Sequence, residues 1–358
     1  MDRASDTGKG LPMSIVLKET SELGRELVCR VEHEVVNRVR QEIIAELKRD
    51  ARIPGFRKGR VPEPILAQRY AEEIREQILN RLIPDLYASA VKEHGLSPVV
   101  DPEVRDVSID ENGLSCTIYT ELKPAVEIGK YTGLTVKKVQ PAAVTDEQVD
   151  AVLADWERRP EFAASIIDPE KRRAWRSRIR EQMERMAVTE ARAAEDNQIW
   201  EQLFSAARFP VPEKLVAEQA RRYAREELRR MDLRDASEEE AEKIARDLLE
   251  KFRPVAEREV RKHFILDYVA SAEHLAATEE EVEERVVRLA RLSGEPQDEV
   301  RKKLEDSGRL DDIREDIRIE KAFSFIKNSA QVIERVILPG EDARRSISGG
   351  GRESRGGA

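Results

Sequence analysis

The 358-residue sequence has few cysteines, few aromatic residues and no long apolar run, and these shortages exclude several classes of protein. Two cysteines are too few for a disulfide framework or a structural zinc site. No run approaches the roughly 18 apolar residues of a membrane-spanning helix. The N-terminus is polar and carries no apolar secretion signal. We therefore expect a soluble, cytoplasmic protein with no membrane partner.

Glycine is missing from a long central part of the chain. Nine of the 17 glycines lie at or before Gly133, and none lies between residues 134 and 293. Tight hairpins usually need a residue at positive φ, which glycine adopts without steric cost. The gap therefore predicts an almost entirely helical region. The glycines from Gly340 onward predict a flexible tail over 339–358, and the polar residues 1–12 predict a disordered extension.

Charged residues, in contrast, are abundant. The chain has 63 Lys and Arg against 72 Asp and Glu, which gives a net charge of −9. This acidity argues against a general nucleic-acid coat, and no DNA partner is expected. The length exceeds the roughly 250–300 residues at which one core stops growing, so more than one packing unit is expected. The high charge predicts large solvated surfaces over a thin core, as in elongated helical bodies.

Residues 13–128 alternate between strand and helix patterns. Hairpin strands are predicted at 14–19 and 26–31, around Gly24, and at 103–109 and 114–126. A helix over 34–48 repeats apolar residues every fourth position. A second helix begins at Pro62 and runs past Leu82; Pro84 kinks or restarts it, and Gly95 caps it. The predicted order is strand, strand, helix, helix, strand, strand.

Residues 168–338 predict a helical body with arms. Helices are expected from Pro169 to about Ala207, after the Phe209–Pro212 turn, after Ser237, and from Arg309 to about Val336. Capping boxes at Thr145 and Thr278 predict two further helix starts. Single apolar stripes on charged helices indicate helix packing, and apolar residues left exposed would contact unfolded chains.

The loop between the first two helices, residues 52–62, concentrates positive charge. Its four cations are accompanied by no acid: Arg52, Arg57, Lys58 and Arg60. Phe56 falls at what should be an exposed tip, since Gly55 and Gly59 allow sharp turns beside it. Such a tip suits a phosphate-rich or acidic surface. An ordinary connecting loop with solvated charges explains the pattern equally well.

The segment Gly55-Phe56-Arg57-Lys58-Gly59-Arg60-Val61-Pro62 resembles the ribosome-docking signature of the trigger factor family, bacterial chaperones of nascent chains. The helix–loop–helix context, Ala67–Tyr70, Pro124–Glu127 and Val144–Asp150 also resemble that family. The resemblance implies an α+β N-terminal ribosome-binding domain followed by a mostly α-helical, elongated C-terminal body with arms. It also implies docking through Gly55, Phe56, Arg57, Lys58 and Arg60 on the large ribosomal subunit at the tunnel exit, on protein and neighbouring rRNA.

One departure from the family is expected. Most trigger factors carry a prolyl isomerase domain of the FK506-binding type after the linker. Only 28 residues separate Gln140 from Asp168 here, against a minimum of roughly 50 for an independent domain. We therefore predict that the isomerase domain is absent. The expected organisation is an extension (1–12), a ribosome-binding domain (13–128), a linker (129–167), a helical chaperone domain (168–338) and a tail (339–358).

No catalytic, metal or cofactor site is predicted. The four histidines lack a metal-ligand spacing, and Cys29 and Cys116 are expected to be buried in strands. The expected function is that of an ATP-independent holdase that binds unfolded nascent polypeptides. Off the ribosome, the chain is compatible with a homodimer. Two alternatives remain open: a ribosome-independent chaperone or assembly factor for a folded partner, and a prolyl isomerase with an unrecognised site.

Overall fold

The structure is a computed structural model that describes residues 13–54, 56, 59–159, 168–231 and 237–334, and only the backbone of Asp50. The predicted extension and tail lie outside the described residues. In chain order the helices are α1 (His33–Asp50), α2 (Glu63–Arg69), α3 (Ala71–Glu93), α4 (Asp146–Glu157), α5 (Pro169–Ala206), α6 (Glu213–Arg230), α7 (Glu238–Ala272), α8 (Glu279–Ser293), α9 (Gln297–Asp306) and α10 (Arg309–Ser329). The strands are β1 (Met13–Glu19), β2 (Gly24–Glu32), β3 (Glu103–Asp110), β4 (Gly113–Glu121), β5 (Glu127–Ile128), β6 (Thr135–Lys137), β7 (Ala207–Arg208) and β8 (Gln331–Ile333).

The chain divides into two compact units. The first comprises the described residues of Met1–Ala125 and Phe209–Arg261, and the second those of Val126–Arg208 and Lys262–Ala358. The chain thus passes from one unit to the other three times, the last time within α7. An α+β region therefore precedes a helical body, which agrees with the predicted fold class.

The first unit is built on an antiparallel sheet with the order β1-β2-β4-β3. Both predicted hairpins are confirmed: Val16 lies opposite Val28, and Ile109 lies opposite Leu114. β4 ends at Glu121 instead of continuing to Val126 as predicted. Pro124 follows three residues later and has no N–H to donate to a neighbouring strand, which is consistent with the earlier end.

The turn between β3 and β4 depends on Gly113. Its φ is +123°, and a Cβ placed there would lie 1.9 Å from the backbone oxygen of Val31. A side chain is excluded at this position both by the backbone conformation and by the neighbouring strand. The turn is further closed by the N–H of Asn112, which donates to Oδ1 of Asp110 at 2.7 Å.

Helices α1, α2 and α3 pack on one face of this sheet. The apolar core joins the stripe of α1 to that of α3 and to the inward residues of β2 and β4, among them Ile43, Ile78, Leu27 and Ile118. The helix predicted from Pro62 is interrupted at Tyr70, which has φ −110° and ψ 26°.

Of the two alternatives predicted at Pro84, a kink or a restart, the restart is wrong, because α3 continues through this residue. Proline removes one helical hydrogen bond, but Leu82 and Leu86 on either side are buried in the core. Their packing offsets the lost bond. Gly95 follows the end of the helix as predicted, and its N–H donates to the carbonyl oxygen of Lys92.

The second unit is mostly helical. Its two small sheets pair β5 with β7, antiparallel, and β6 with β8, parallel. The glycine-free region is therefore not wholly helical, because β6 and β7 lie within it. The last helix ends at Ser329 instead of near Val336, and the following residues pair with β6. Helix α9 was not predicted. Both predicted capping boxes are confirmed, at Thr145 and at Thr278.

Candidate functional site

The docking loop, defined here as residues 51–62, connects α1 to α2. Its ends are held by apolar side chains that belong to the core of the first unit: Ala51, Ile53 and Val61 are all buried. Lys48 and Glu63, one on each side of the loop, form an ion pair with 3.3 Å between Nζ and Oε1. The base of the loop is thus fixed by burial, with a modest contribution from the exposed ion pair.

The tip of the loop exposes an aromatic ring. Phe56 is 40% exposed, although its backbone N–H donates to the carbonyl oxygen of Ile53 at 3.1 Å and closes a turn. A large apolar side chain held outward by a turn is available to enter a pocket on a partner. Gly55, Arg57 and Lys58, three of the predicted docking residues, lie outside the described residues.

The described cations of the loop are exposed and unpaired within the part of the chain that the structure covers. Arg52 and Arg60 are both exposed, and neither lies within 4.0 Å of a described carboxylate oxygen. Gly59, at φ +80°, precedes Arg60. Positive charge with no carboxylate partner is what a phosphate-rich surface would neutralise. The structure therefore brings Phe56, Arg52 and Arg60 into one loop, with the base buried.

The place expected for an isomerase domain is occupied by a helical hairpin of α4 and α5. Its apolar contact consists of buried Val149, Leu153 and Ile179. The rings of Trp156 and Trp175 meet edge to face with centroids 5.6 Å apart. Arg176 donates to both carboxylate oxygens of Asp150, at 2.8 and 3.0 Å. The connection from α4 to α5 contains eleven residues, far fewer than the roughly 50 of an independent domain.

A second candidate surface is an apolar groove between α6 and α7 in the first unit. It has a volume of about 400 Å³ and is lined by Glu218, Arg221, Ala224, Arg225, Leu228, Ala245 and Leu249. Leu228 and Leu249 belong to the apolar stripes of charged helices, a pattern that predicts packing between helices. Here they leave part of their surface open to a groove. Such a groove accepts apolar side chains without requiring a particular sequence.

Other apolar side chains are exposed singly in both units. Met186 on α5 is 55% exposed and Leu292 on α8 is 80% exposed. Leu292 lies near the C-terminal end of α8, and the structure leaves it in solvent. Scattered apolar residues of this kind need no partner, but together they offer weak contacts to an unfolded chain.

Sequence reasoning missed a set of contacts between α5 and strand β6. The side chain of Gln198 accepts from the N–H of Lys137 at 2.8 Å and donates to the carbonyl oxygen of the same residue at 2.8 Å. Gln202 makes the equivalent pair of bonds to Thr135, at 3.3 and 2.9 Å. The only signal in the sequence is two glutamines four residues apart, a spacing that places both on one helical face.

The described residues contain no group of three or more His, Cys, Asp or Glu side chains that could hold a metal ion. None of the helices in the described part of the chain combines the length and apolarity that crossing a bilayer requires. The buried thiols predicted at Cys29 and Cys116 are confirmed, and both are free.

Comparison with protein families identifies similarity along most of the chain. Residues 13–156 match the model of the bacterial trigger factor protein, and residues 174–328 match that of the bacterial trigger factor C-terminus. No prolyl isomerase domain family matches. The hairpin of α4 and α5 contains the boundary between the two matched segments.

Individual relatives show the same similarity. The trigger factor of Carboxydothermus hydrogenoformans is 39% identical over 158 residues, which cover 43% of this chain and 37% of the relative. That of Desulfotalea psychrophila is 31% identical over 158 residues, covering 44% of this chain and only 35% of the relative. That of Moorella thermoacetica is 25% identical over 409 positions, covering 84% of this chain and 91% of the relative.

The alignment with the Moorella protein also measures a difference in length. The 84% of this chain that aligns is about 301 residues, so about 108 of the 409 positions are filled by the relative alone. In total, these positions equal the length of a domain of ordinary size.

Among solved structures, one reported for promiscuous substrate recognition in the folding and assembly activities of the trigger factor chaperone is similar in fold. The TM-score is 0.52 with 16% sequence identity, and the match covers 87% of this chain and 99% of that chain.

Proposed function

The chain belongs to the bacterial trigger factor family, and on that premise we propose that it is a cytoplasmic, ATP-independent chaperone that docks at the ribosomal tunnel exit and shields unfolded nascent chains. Docking is assigned to Gly55, Phe56, Arg57, Lys58 and Arg60. The partners are the large ribosomal subunit, through protein and neighbouring rRNA, and the emerging polypeptide.

The observation that supports docking most strongly is the construction of the docking loop. The base of the loop is buried and is flanked by the Lys48–Glu63 ion pair. Phe56 at the tip and the cations Arg52 and Arg60 are exposed. A loop held at both ends loses little entropy when its tip is immobilised on a surface. In a chain of net charge −9, this loop also supplies the positive charge that rRNA requires.

Ribosome co-sedimentation tests the proposal. Replacing Phe56, Arg57 and Lys58 together by alanine should weaken ribosome binding by about thirtyfold or more, since central aromatic and Arg anchors each contribute about 2 kcal/mol. The matched control replaces Val16, Lys18 and Arg30, which are exposed on β1 and β2, and removes the same charge and one apolar side chain. Wild-type binding by the loop variant, or equal losses in both variants, would refute docking through this loop.

We propose further that clients bind through dispersed apolar contacts, including the groove between α6 and α7. Leu228 and Leu249 line it, and the arginines at its rim keep the groove solvated. Each contact is weak and independent of client sequence, which permits rapid release without nucleotide hydrolysis.

Suppression of aggregation of a denatured client, followed by light scattering without ATP, measures this activity. Replacing Leu228 and Leu249 by glutamine should raise the concentration needed for half suppression severalfold. A Val16→Gln control, on the outer face of the first sheet, should leave it unchanged. If the groove variant protects the client as well as wild type, clients bind elsewhere.

We infer that no isomerase domain is inserted between α4 and α5, and that the protein does not accelerate prolyl isomerisation. The eleven-residue connection and the roughly 108 additional positions in a relative support this inference. A protease-coupled assay on a short prolyl peptide should give the uncatalysed rate. Acceleration would favour an isomerase with an unrecognised site. Aggregation suppression without ribosome binding would favour the ribosome-independent alternative.

For the domain organisation, we retain as a proposal a ribosome-binding domain over 13–128, a linker over 129–167 and a chaperone domain over 168–338. Limited proteolysis with mass spectrometry tests these limits, because linkers are cleaved before compact domains.

A further inference from the structure

The chain has two cysteines, and the fold brings them together. Cys29 on β2 and Cys116 on β4 are 87 positions apart in the sequence but directly opposite each other in the antiparallel register. Directly opposed residues in antiparallel strands have Cα atoms about 4.5 or about 5.5 Å apart, depending on the hydrogen-bond pattern, and their side chains lie on the same face. Both values fall within the roughly 4.4–6.8 Å that a disulfide spans.

Both thiols point into the core of the first unit. Cys29 is 0% exposed and Cys116 is 2% exposed, and both belong to the cluster that joins the sheet to α1 and α3. Neither is bonded to another group covalently. The thiol of Cys29 donates to the backbone carbonyl oxygen of Leu27 at 3.7 Å. Because the two residues are directly opposed and share one buried face, their side chains are neighbours in the folded protein.

Their protonation is unequal. Interaction with the Cys116 thiol, together with burial, raises the pKa of Cys29 above its ordinary value. The same interaction lowers the pKa of Cys116, because a neighbouring thiol stabilises a thiolate. A buried thiol is ordinarily inert, since burial disfavours the thiolate that reacts. For Cys116, the neighbouring thiol outweighs that penalty.

We propose that Cys29 and Cys116 form a redox-active dithiol that low-molecular-weight disulfides oxidise to an intramolecular cross-strand disulfide within the intact first unit. The strand register, the shared face and the burial of both side chains in one core carry this proposal. The disulfide would link β2 to β4 at the centre of the four-stranded sheet.

The chemistry balances with glutathione disulfide as the oxidant. The Cys116 thiolate attacks one sulfur of glutathione disulfide, so a mixed disulfide forms and one glutathione thiolate leaves. The Cys29 sulfur, as its proton is lost, attacks the Cys116 sulfur of the mixed disulfide and releases the second glutathione. Overall, one protein dithiol and one glutathione disulfide give one protein disulfide and two glutathione molecules. Both electrons removed from the protein reside in the two glutathione thiols.

Equilibration of the full chain in glutathione redox buffers tests the proposal. Native protein is incubated in each buffer starting from both the reduced and the pre-oxidised state. If both starting states reach the same composition, slow reaction of glutathione with the buried thiols has not been mistaken for an unfavourable equilibrium. After acid quenching, mass spectrometry counts free thiols, intramolecular disulfide and mixed disulfide. Because there are only two cysteines, a monomer without free thiol or glutathione contains the Cys29–Cys116 bond. Far-UV circular dichroism checks that the fold is retained.

We expect the effective concentration of the two thiols to be at least about tenfold higher in the native chain than in the chain denatured in guanidinium chloride. In the denatured chain, the two cysteines are joined only by a flexible segment. The variants Cys29→Ser and Cys116→Ser should give only mixed disulfide. An effective concentration no higher than in the denatured chain would overturn the proposal. So would accumulation of mixed disulfide or disulfide-linked dimer in the wild type, or loss of the native circular dichroism on oxidation.

Discussion

At the residue scale, Glu121 shows how one buried carboxylate organises its surroundings. It is 4% exposed at the end of β4; Oε1 accepts from the Tyr119 hydroxyl at 3.0 Å and Oε2 from the N–H of Lys214 at 2.9 Å. Lys214 lies in the first turn of α6, where N–H groups lack helical partners and negative charge is favoured. Glu121 therefore ties α6 to the sheet of the same unit. Removing it would leave two donors without this acceptor.

The same contact predicts a pH dependence. Burial, followed by the hydrogen bond to Glu121, raises the pKa of Tyr119 to about 12. In the unfolded chain a tyrosine titrates near about 10. Between about pH 10 and pH 12 the unfolded state therefore loses a proton that the folded state retains, and the free energy of unfolding falls as pH rises.

Urea unfolding followed by circular dichroism should show a decrease in midpoint from pH 10 to pH 12 that is larger in wild type than in Tyr119→Phe. Tyr70→Phe, in the same unit, should behave as wild type. Equal decreases in all three proteins would contradict the assigned pKa.

At the scale of the element, local signals predicted helix starts better than helix ends. The capping boxes at Thr145 and Thr278 were identified because an N-cap is a short-range contact between residues three apart. The end of α10 depends on a distant partner: the N–H of Gln331 donates to the carbonyl oxygen of Leu134 at 2.8 Å, and the chain becomes β8. The passage of α3 through Pro84 likewise depends on packing against the sheet.

The β3–β4 turn gives a prediction at this scale. Gly113→Ala should destabilise the first unit by at least about 2 kcal/mol, because the conformation at φ +123° disfavours a side chain and the added Cβ meets the Val31 oxygen. Gly129→Ala is the control, since its φ is not positive and a Cβ there meets nothing within 4 Å.

The two units can be followed separately in this experiment. The thiols of Cys29 and Cys116 lie in the first unit, whereas Trp156, Trp175 and Trp200 lie in the second. Urea should expose the thiols of Gly113→Ala at lower concentration than in wild type, as measured by thiol labelling. Tryptophan fluorescence should report little change. A variant whose thiol transition coincides with that of wild type would show that the turn tolerates a side chain.

At the scale of the whole molecule, the distribution of charge matters more than its sum. A net charge of −9 repels rRNA in general, and the docking loop concentrates Arg52, Arg57, Lys58 and Arg60 without an acid. If docking uses this loop alone, the number of phosphates neutralised is limited to about four.

Ribosome affinity measured over a range of salt concentrations should therefore fall with a slope of log K against log salt no steeper than about −4. Replacing Arg60 by alanine should reduce the slope by about 1. A steeper dependence in wild type would mean that a further basic surface contacts rRNA.

Much of the α+β region and of the docking loop was predictable from sequence. The hairpins, α1 and the loop follow from apolar periodicity, turn residues and a run of cations, all of which act over a few residues. The exposure of Phe56 was inferred from flanking glycines and agrees with its 40% exposure in the structure. The groove lined by Leu228 and Leu249 was not predicted. The sequence pattern of an apolar stripe is the same whether the stripe packs against another helix or remains exposed to solvent.

The sequence by itself determined the family, the docking residues proposed for the ribosome and the short span between Gln140 and Asp168, because these depend on local residue order and on length. Only the tertiary structure decided which stripes are covered, where α10 gives way to β8, and that Cys29 faces Cys116 across two strands. These outcomes depend on contacts between residues far apart in the chain, whose free energy comes from joint burial and strand pairing. No short window of sequence contains both partners of such a contact.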